Sequence, residues 1–495
     1  MYRRMGTEPF LLGWAGAMQG MLAGKGLRPH SSHSSDTIAQ RATAAGEAAV
    51  ALVRISGDRT RPIIERLFEP SRAARTPPAP LRPRHVYCGF LVDPDTRERV
   101  DEVLVTLFAE GASYTGEAMA EIGCHGGMTV VDRVLRALFA AGARPAEPGE
   151  FSKRAFLSGR IDLAQAEAVC DLIRARSDAA RRAALRQLEG GLSARIRAVR
   201  GVLLDALADI EVTIDFPDDD ILPATTERAA DAVGRAQRMI DDLLARAAVG
   251  QAVREGVVVS IVGRPNVGKS SLLNALLGRD RAIVTDTPGT TRDTVEEVAV
   301  FEGIPFRLID TAGLRRPGDD IEAIGVGRAE AAAAAADLCV AVFDGSAPLE
   351  EADEEVIGRL RTMPGARVGV LNKSDLPPAL DAGVLRGRLS CQEWTTTSAV
   401  SPGGVESLIG ALVRAVAAGG VSAQGELLTN ARHRKLLESA RAELDGAALA
   451  ARQEMPIDIM AISIRAGAGG LGEITGDTLV PDLLDRIFST FCLGK

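Results

Sequence analysis

The chain is expected to fold as a multidomain α/β + α protein. An α+β unit comes first, followed by helices, and a doubly wound α/β domain is inserted among them. Three observations carry this. Strand-like apolar runs cluster between residues 49 and 108. Ala/Leu/Arg stretches with three-to-four spacing fill residues 150–254, and helical pattern returns from residue 426 to the end. Between them, residues 256–417 alternate short apolar runs with helical segments, the pattern of a mostly parallel sheet.

Taken in order, residues 1–35 form an extension. Its uncharged stretch Pro9–Gly24 is shorter than the roughly twenty apolar residues a membrane span needs. Arg3 and Arg4 ahead of it give a faint likeness to a targeting peptide. The plainer reading is a disordered extension or an upstream start, with Met5, Met18 and Met21 as later starts. Ala49–Ile55 reads as a strand, Arg61–Phe68 as a short helix, and 71–84 as a Pro/Arg-rich loop. Val86–Val92 and Glu102–Phe108 are further strands, and Val130–Ala141 is a helix. The N-terminal domain is therefore placed at 36–152. Helices alone follow over 153–253, with Ala164, Ala168, Leu172 and Ile173 at helical spacing. The acidic run Asp215–Asp220 reads as an inter-helix loop of solvated carboxylates rather than a metal site. The α/β domain is placed at 254–418, with strands at Val257–Val262, Phe306–Ile309, Leu338–Phe343 and Arg367–Leu371. The helical domain resumes over 419–495.

Composition sets the outer limits. The net charge of −8 excludes a non-specific nucleic-acid coat, so any RNA contact is a local patch or comes through a partner. The six cysteines form no CxxC pair, so neither a zinc module nor a disulfide framework is expected, and a reducing, cytoplasmic setting fits. The chain has six lysines against 52 arginines. Three of the six, Lys269, Lys373 and Lys495, lie in motifs, where a compact ammonium suits the chemistry.

The sharpest motif begins at Gly263. The run GRPNVGKS follows an apolar strand and precedes SLLNALLG, which is GxxxxGK[ST] in its proper context. Glycines let backbone N–H groups approach phosphate, and the helix N-terminus adds positive charge. Lys269 reaches the terminal phosphates and Ser270 is placed for Mg²⁺. Downstream, Asp310-Thr311-Ala312-Gly313 follows a strand, the aspartate near Mg²⁺ and the glycine N–H near the terminal phosphate. Asn372-Lys373-Ser374-Asp375 follows another strand. A carboxylate there accepts both N1–H and the 2-amino group of guanine, a donor pair adenine lacks. Ser398-Ala399 closes the base site. In this order the four motifs specify GTP, and they resemble the Ras-like GTPase superfamily. The expected nucleotide contacts are Asn266, Val267, Gly268, Lys269, Ser270, Ser271, the loop Thr285, Asp286, Thr287, Pro288, Gly289, Thr290 and Thr291, then Asp310 to Gly313, Asn372, Lys373, Asp375, Ser398 and Ala399. Leu314, after Asp310–Gly313, cannot orient a water, so hydrolysis needs another polar group. Glu322 is a candidate, or else a solvated helix-start glutamate. Thr291 is a second Mg²⁺ oxygen. Asn266 and carbonyls of the 285–293 loop suit a monovalent cation.

GRPNVGKSSLLNALLG with IVTDTPGTTRDTVEE is similar to the TrmE–Era branch. DTIAQRATAAGEAAVALVRISG at 36–57, EIGCHGG at 121–127, EPGEFSKRAFLSGRIDLAQAEAVCDLI at 147–173 and the terminal FCLGK at 491–495 resemble the MnmE (TrmE) family of tRNA-modification GTPases. The resemblance covers residues 36–495. It implies an N-terminal folate-binding and dimerising domain, a helical domain and an inserted Ras-like P-loop GTPase domain. It implies work with the FAD-dependent protein MnmG, as a heterotetramer, on the wobble uridine of certain tRNAs. The product carries an aminomethyl or carboxymethylaminomethyl group at C5, its one-carbon unit coming from a methylene- or formyl-tetrahydrofolate. It also implies a homodimer with K⁺-dependent G-domain pairing, and no membrane.

Residue by residue, Asn266, Thr285, Thr287 and Thr290 resemble the K⁺ ligands, Ser270 and Thr291 the Mg²⁺ ligands, and Glu322 the catalytic glutamate. Arg54, Glu121, Arg160 and Lys495 fall on folate-contact positions. Position 160 departs from the common lysine, which keeps the charge but changes the donor geometry. Cationic groups suit the glutamyl tail or ring oxygens of folate, and Glu121 suits the pteridine N–H donors. Cys492 has two readings, a thiol for the one-carbon chemistry or a small buried side chain. His125 lines the folate cavity or holds a turn. The competing functions are an Era-like ribosome-assembly switch without modification chemistry and a folate-binding scaffold with a purely regulatory GTPase. The first would need a basic RNA-binding tail, for which the C-terminal region offers only ARHRK at 431–435, a helix face.

Overall fold

A computed structural model describes residues 36–71, 81–215, 226–278, 297–310, 336–362, 365–416, 428–478, 481–491 and 494. The described residues form two compact units, one of those up to 170 with those from 472 on, the other of those between 171 and 471.

The first unit is built on a seven-stranded sheet. Its strands are β1 (Ile38–Arg41), β2 (Ala48–Ser56), β3 (Phe68–Pro70), β4 (Val86–Val92), β5 (Arg99–Phe108), β6 (Met119–Gly126) and β7 (Arg144–Pro145), in the order β3-β4-β5-β6-β2-β1-β7. Helices α1 (Thr60–Leu67) and α2 (Met128–Ala140) cover one face. Alternation sorts the side chains: Ala51, Val53 and Ile55 of β2 enter the core with Val103 and Val105 of β5, and Ile122 and Cys124 of β6 join them. The opposite face keeps Val50, Leu104 and Val86 at 64%, 52% and 65% exposure. β6 was not among the expected strands, although it lies between β2 and β5. Its glycines and its polar Glu121 and His125 break the apolar run that marks a buried strand.

Helices α3 (Glu150–Leu157) and α4 (Leu163–Arg174) follow, and α15 (Pro481–Ser489) returns to pack on them through Phe488 and Phe491, with Phe156, Leu163 and Cys170. α3 starts at Gly149, φ 70°, where a Cβ would lie 2.4 Å from the Phe488 carbonyl oxygen. Arg154 of α3 is buried and meets Asp36, Glu117 and Glu150 at 2.8, 3.1 and 2.9 Å. Burial pushes the Glu150 carboxyl up, but bonds from Arg144, the Glu147 N–H and Arg154 outweigh it and hold it below its ordinary 4.5. A lowered folded-state value adds stability above the ordinary value, and that stability is lost as pH falls through the lowered one. Thermal melts of the full chain are expected to show it. Glu150→Gln should lower stability at neutral pH by about 2 kcal/mol and flatten the loss seen on acidifying below pH 4.5. An unchanged acid limb would show that Glu150 does not govern it.

The second unit contains helices α5 (Asp178–Leu188), α6 (Gly191–Asp215), α7 (Thr226–Leu244) and α8 (Ala247–Glu255), then a six-stranded sheet. Its elements in chain order are β8 (Val257–Val262), α9 (Lys269–Leu277), β9 (Glu297–Phe301), β10 (Ile304–Asp310), β11 (Leu338–Asp344), α10 (Glu351–Thr362), β12 (Ala366–Asn372), α11 (Ala382–Arg388), β13 (Glu393–Thr396) and α12 (Glu406–Val416). The order is β13-β12-β11-β8-β10-β9, parallel except for the edge strand β9. Apolar side chains lie on both faces. Val340 and Val342 of β11 meet α9 and α12, while Cys339, Ala341 and Phe343 meet α10 and α11. This is the doubly wound sheet expected from the near-continuous apolar strands. Ala179 of α5 and Val253 of α8 join its core, so helices preceding the sheet share its packing.

Helix α13 (Ala431–Arg452) runs against α7, each burying apolar residues at three-to-four spacing: Ala229, Ala232, Val233 and Ala236 on one, Leu437, Ala440, Leu444 and Ala447 on the other. Arg441 bonds Asp241 at 2.9 Å across them. The ARHRK cluster is the first turn of α13, capped by Asn430, with His433 fully buried and Arg434 paired to Glu438. Helix α14 (Ile457–Thr475) completes the helical part, its last residues counting with the first unit.

Candidate functional site

Two constellations stand out, one in each unit. In the second, the Gly263–Gly268 loop leaves β8 and turns into α9. Its tightness comes from backbone, not side chains. A Cβ on Gly263 would lie 2.4 Å from the Val342 carbonyl oxygen, and Asn266 and Gly268 take φ of 62° and 96°. Val267 is buried beneath the loop. Lys269 Nζ donates to the carbonyls of Gly263 and Arg264 at 2.8 and 2.7 Å, so the loop encircles the ammonium. Arg264 pairs with Glu350 and Asp353 at 3.1 and 3.0 Å, fixing the loop's entry against α10. Ser270 and Ser271 begin α9 with their side chains exposed.

The base end assembles from β12 and β13. Asn372, 1% exposed, donates from Nδ2 to the Val267 carbonyl at 2.8 Å and accepts from Thr397 Oγ1 at 3.1 Å. One side chain thus ties the phosphate loop to the segment carrying Ser398 and Ala399. Ser398 Oγ donates to Asp375 Oδ1 at 2.6 Å, orienting that carboxylate. Lys373 Nζ pairs with Asp344 Oδ2 at 2.6 Å. Burial pushes the Asp344 carboxyl up, but Lys373 and Ser346 bonds outweigh it and hold it low. Asp310 ends β10 in register with Ile261 of β8, which sets its backbone beside the phosphate loop. Thr285, Asp286, Thr287, Pro288, Gly289, Thr290, Thr291, Thr311, Ala312, Gly313 and Glu322 lie outside the described residues.

The first unit holds the second constellation. Arg54 of β2 stands opposite Glu121 of β6 in the sheet register. Its Nε and Nη2 donate to Glu121 Oε1 at 3.2 and 2.8 Å, which leaves Oε2 for another donor. The guanidinium lies 5.0 Å from the Tyr114 ring centroid and 5.7 Å from that of Phe151. Arg54 is 8% exposed, and among the described residues its buried Nη1 has no hydrogen-bond partner. Arg160 joins from the loop after α3, its guanidinium 5.3 Å from the Tyr114 centroid and Nη1 donating to the Tyr114 carbonyl at 2.9 Å. Tyr114 Oη and Ser152 Oγ are 2.8 Å apart. Three of the four expected cradle residues therefore converge. Lys495 and Cys492 lie outside the described residues, but Gly494 between them is buried against β1, its Cα near the Arg41–Ala42 backbone.

Tyr114 and Phe151 complete the cradle although neither was assigned a role beforehand. Phe151 lies within the EPGEFSK run, and Tyr114 is one of only three tyrosines. A buried N–H that nothing accepts is costly even on a guanidinium paired elsewhere, and such a donor fits an anionic or carbonyl group of a polar, flat ligand stacked on aromatic rings. His125 lies inside β6, exposed, with Nδ1 at 2.8 Å from Asp101 Oδ1, on the same strand face as Glu121. Cys124 points the other way into the core. Burial pushes its thiol up to about 11, which removes it as a nucleophile. Among the described residues no helix is long and apolar enough to cross a membrane.

A family model described as the GTP-binding protein TrmE N-terminus matches residues 37–160, and one described as the MnmE helical domain matches residues 163–492. The tRNA modification GTPase MnmE of Lactiplantibacillus plantarum is 42% identical over 463 residues, which covers 93% of this chain and 98% of that protein. The protein of the same name from Alkaliphilus metalliredigens is 44% identical over 461 residues, covering 93% and 99%. That from Geobacillus kaustophilus is 43% identical over 463 residues, again 93% and 99%. The two matches adjoin at residues 160–163, the first taking in Arg54, Glu121 and Arg160 and the second the nucleotide loops. The likeness runs through the whole of each relative rather than its nucleotide-binding part alone, and this chain belongs to the MnmE (TrmE) family of tRNA-modification GTPases as a GTP-hydrolysing enzyme.

Proposed function

We propose that the chain is the GTP-hydrolysing subunit of a complex that adds an aminomethyl or carboxymethylaminomethyl group to C5 of the wobble uridine in certain tRNAs. The observation that carries the reading beyond GTP hydrolysis is the Arg54–Glu121–Tyr114–Arg160 cradle, with a buried Arg54 Nη1 that no described residue meets. A tetrahydrofolate derivative fits that donor set. Arg54 and Arg160 would hold carboxylate or ring oxygens, Glu121 Oε2 would accept from the pteridine, and Tyr114 and Phe151 would stack. When bound, the folate supplies a one-carbon unit. Lys495 would add a cation and Cys492 a thiol, delivered by the docked tail.

In the nucleotide site, Lys269 and the α9 N-terminus bind the phosphates, and Asp375, positioned by Ser398, reads the base. Ser270 and Thr291 would hold Mg²⁺, with Asp310 near it. Asn266 with the carbonyls of Thr285, Thr287 and Thr290 would hold K⁺. Glu322 orients the attacking water, since Leu314 cannot. The domain organisation in this reading is 36–152 for folate binding and dimerisation, 153–253 and 419–495 for the helical domain, and 254–418 for the GTPase domain. A homodimer is supported by the open sheet face of β2, β4 and β5, whose exposed Val50, Leu104 and Val86 a second copy would cover. The FAD-dependent partner MnmG and tRNA complete the complex.

The test is mass spectrometry of tRNA nucleosides from cells lacking the chain, rescued with wild type or Cys492→Ser. The expected result is loss of the C5-modified wobble uridine in the deletion, restored by wild type and not by Cys492→Ser. Unchanged nucleosides in the deletion would overturn the reading. Restoration by both would leave the enzyme reading standing and make Cys492 structural.

A further inference from the structure

The turn after β11 touches the base-reading loop at several points. Asp344, the last residue of β11, is 8% exposed and in register with Asn372 of β12. Its Oδ1 accepts from the Ser346 backbone N–H at 2.9 Å and from Ser346 Oγ at 2.6 Å, and its Oδ2 accepts from Lys373 Nζ at 2.6 Å. Gly345 donates its N–H to the Asn372 carbonyl at 2.9 Å. Lys373 itself holds a left-handed φ of 64°, so its backbone is fixed by the turn rather than free to relax.

Lys373 stands two residues before Asp375 in the same short loop. Asp375 reads guanine only if its free oxygen faces the base. An ammonium released beside it would compete for that oxygen, because a charge-assisted bond to a carboxylate is stronger than a neutral one. Asp344 takes the ammonium instead. Asp344 is buried and also accepts two bonds from Ser346, so it holds the ammonium from a fixed place, whereas a pair of two exposed side chains would contribute little.

We propose that Asp344 is a positioning residue for base specificity, holding the Lys373 ammonium away from Asp375 so that the Asp375 carboxylate meets guanine. This rests on the reading of the guanine site given above. It assigns discrimination to a residue outside the nucleotide motifs, one that never touches the base.

The experiment measures affinities of the full chain for GDP and IDP by displacement of a fluorescent GDP analogue. Inosine lacks the 2-amino group, so the GDP/IDP ratio reports the Asp375 contact. Asp344→Asn is expected to weaken GDP binding about tenfold, to weaken IDP binding less, and so to shrink the ratio. Asp344→Glu, which keeps a carboxylate for the Lys373 ammonium, is expected to hold the ratio near the wild-type value. A general loss of loop structure would instead lower GDP and IDP binding alike. Asp344→Ser, smaller and neutral, gives the same comparison should the asparagine variant not fold. Equal losses for GDP and IDP in Asp344→Asn, or a ratio that Asp344→Glu shrinks as far, would overturn the proposal while the guanine site stands. A wild-type chain without a GDP preference would overturn the site reading and the proposal together.

Discussion

Asp375→Asn is expected to cost GTP affinity roughly a thousandfold and to turn the chain toward xanthosine nucleotides. The reason is the count of donors and acceptors. Guanine presents N1–H and a 2-amino group side by side, and a carboxylate meets both. An asparagine keeps one acceptor and places an NH₂ donor against a guanine donor. Xanthine carries a carbonyl at position 2, which accepts from that NH₂. The geometry makes the exchange clean. Ser398 Oγ holds Asp375 Oδ1 at 2.6 Å, and an asparagine oxygen in that place accepts the same bond. Asn372, bridging Val267 and Thr397, is untouched. Competition binding with GTP and XTP, alongside a thermal melt, checks it. If GTP binding survives with its selectivity intact, the base is read elsewhere and the assignment of Asp375 falls.

The nucleotide loops were legible in sequence because phosphate and base recognition use short contiguous segments. GRPNVGKS and NKSD each carry their chemistry within a few residues, and glycine positions report the backbone they need. The partners that hold those segments were not legible. Asp344 lies 29 residues before Lys373, and only the parallel register of β11 on β12 brings them together. The cradle shows the same division more strongly. Arg54, Glu121 and Arg160 each look like an ordinary surface charge in isolation, and family likeness alone singled them out. What the fold adds is that β2 and β6 place Arg54 opposite Glu121, and that Tyr114 and Phe151 close over the guanidinium. Strand β6 escaped detection for the reason that makes it useful. Glu121, Gly123 and His125 on one face alternate with Ala120, Ile122 and Cys124 on the other, and so break the continuous apolar run by which the other strands are recognised.

Gly494→Ala is expected to abolish uridine modification while leaving GTP hydrolysis and thermal stability near wild type. Gly494 is the residue next to last, two after the cysteine and one before the lysine assigned to the folate chemistry. Its φ of 86° lies in the left-handed region, which costs a non-glycine residue about 1–2 kcal/mol. The larger obstacle is contact. A Cβ there would stand 2.1 Å from the Arg41 carbonyl oxygen and 3.0 Å from Ala42 Cα. Both are backbone atoms beside β1, so no side-chain rotation relieves the overlap. The tail must lift instead, and its other moorings, Phe488 and Phe491 in the α3–α4 cluster, lie upstream and can stay packed. A lift of even an ångström misplaces a reacting group enough to cost about a hundredfold in rate. Modified-nucleoside analysis of cells rescued with Gly494→Ala, paired with GTPase assays on the purified chain, separates the two activities. Full modification by this variant would show that the tail acts without docking on Arg41, and that Cys492 and Lys495 have no fixed place in the cradle. Loss of both activities together would point to a folding defect rather than an undocked tail.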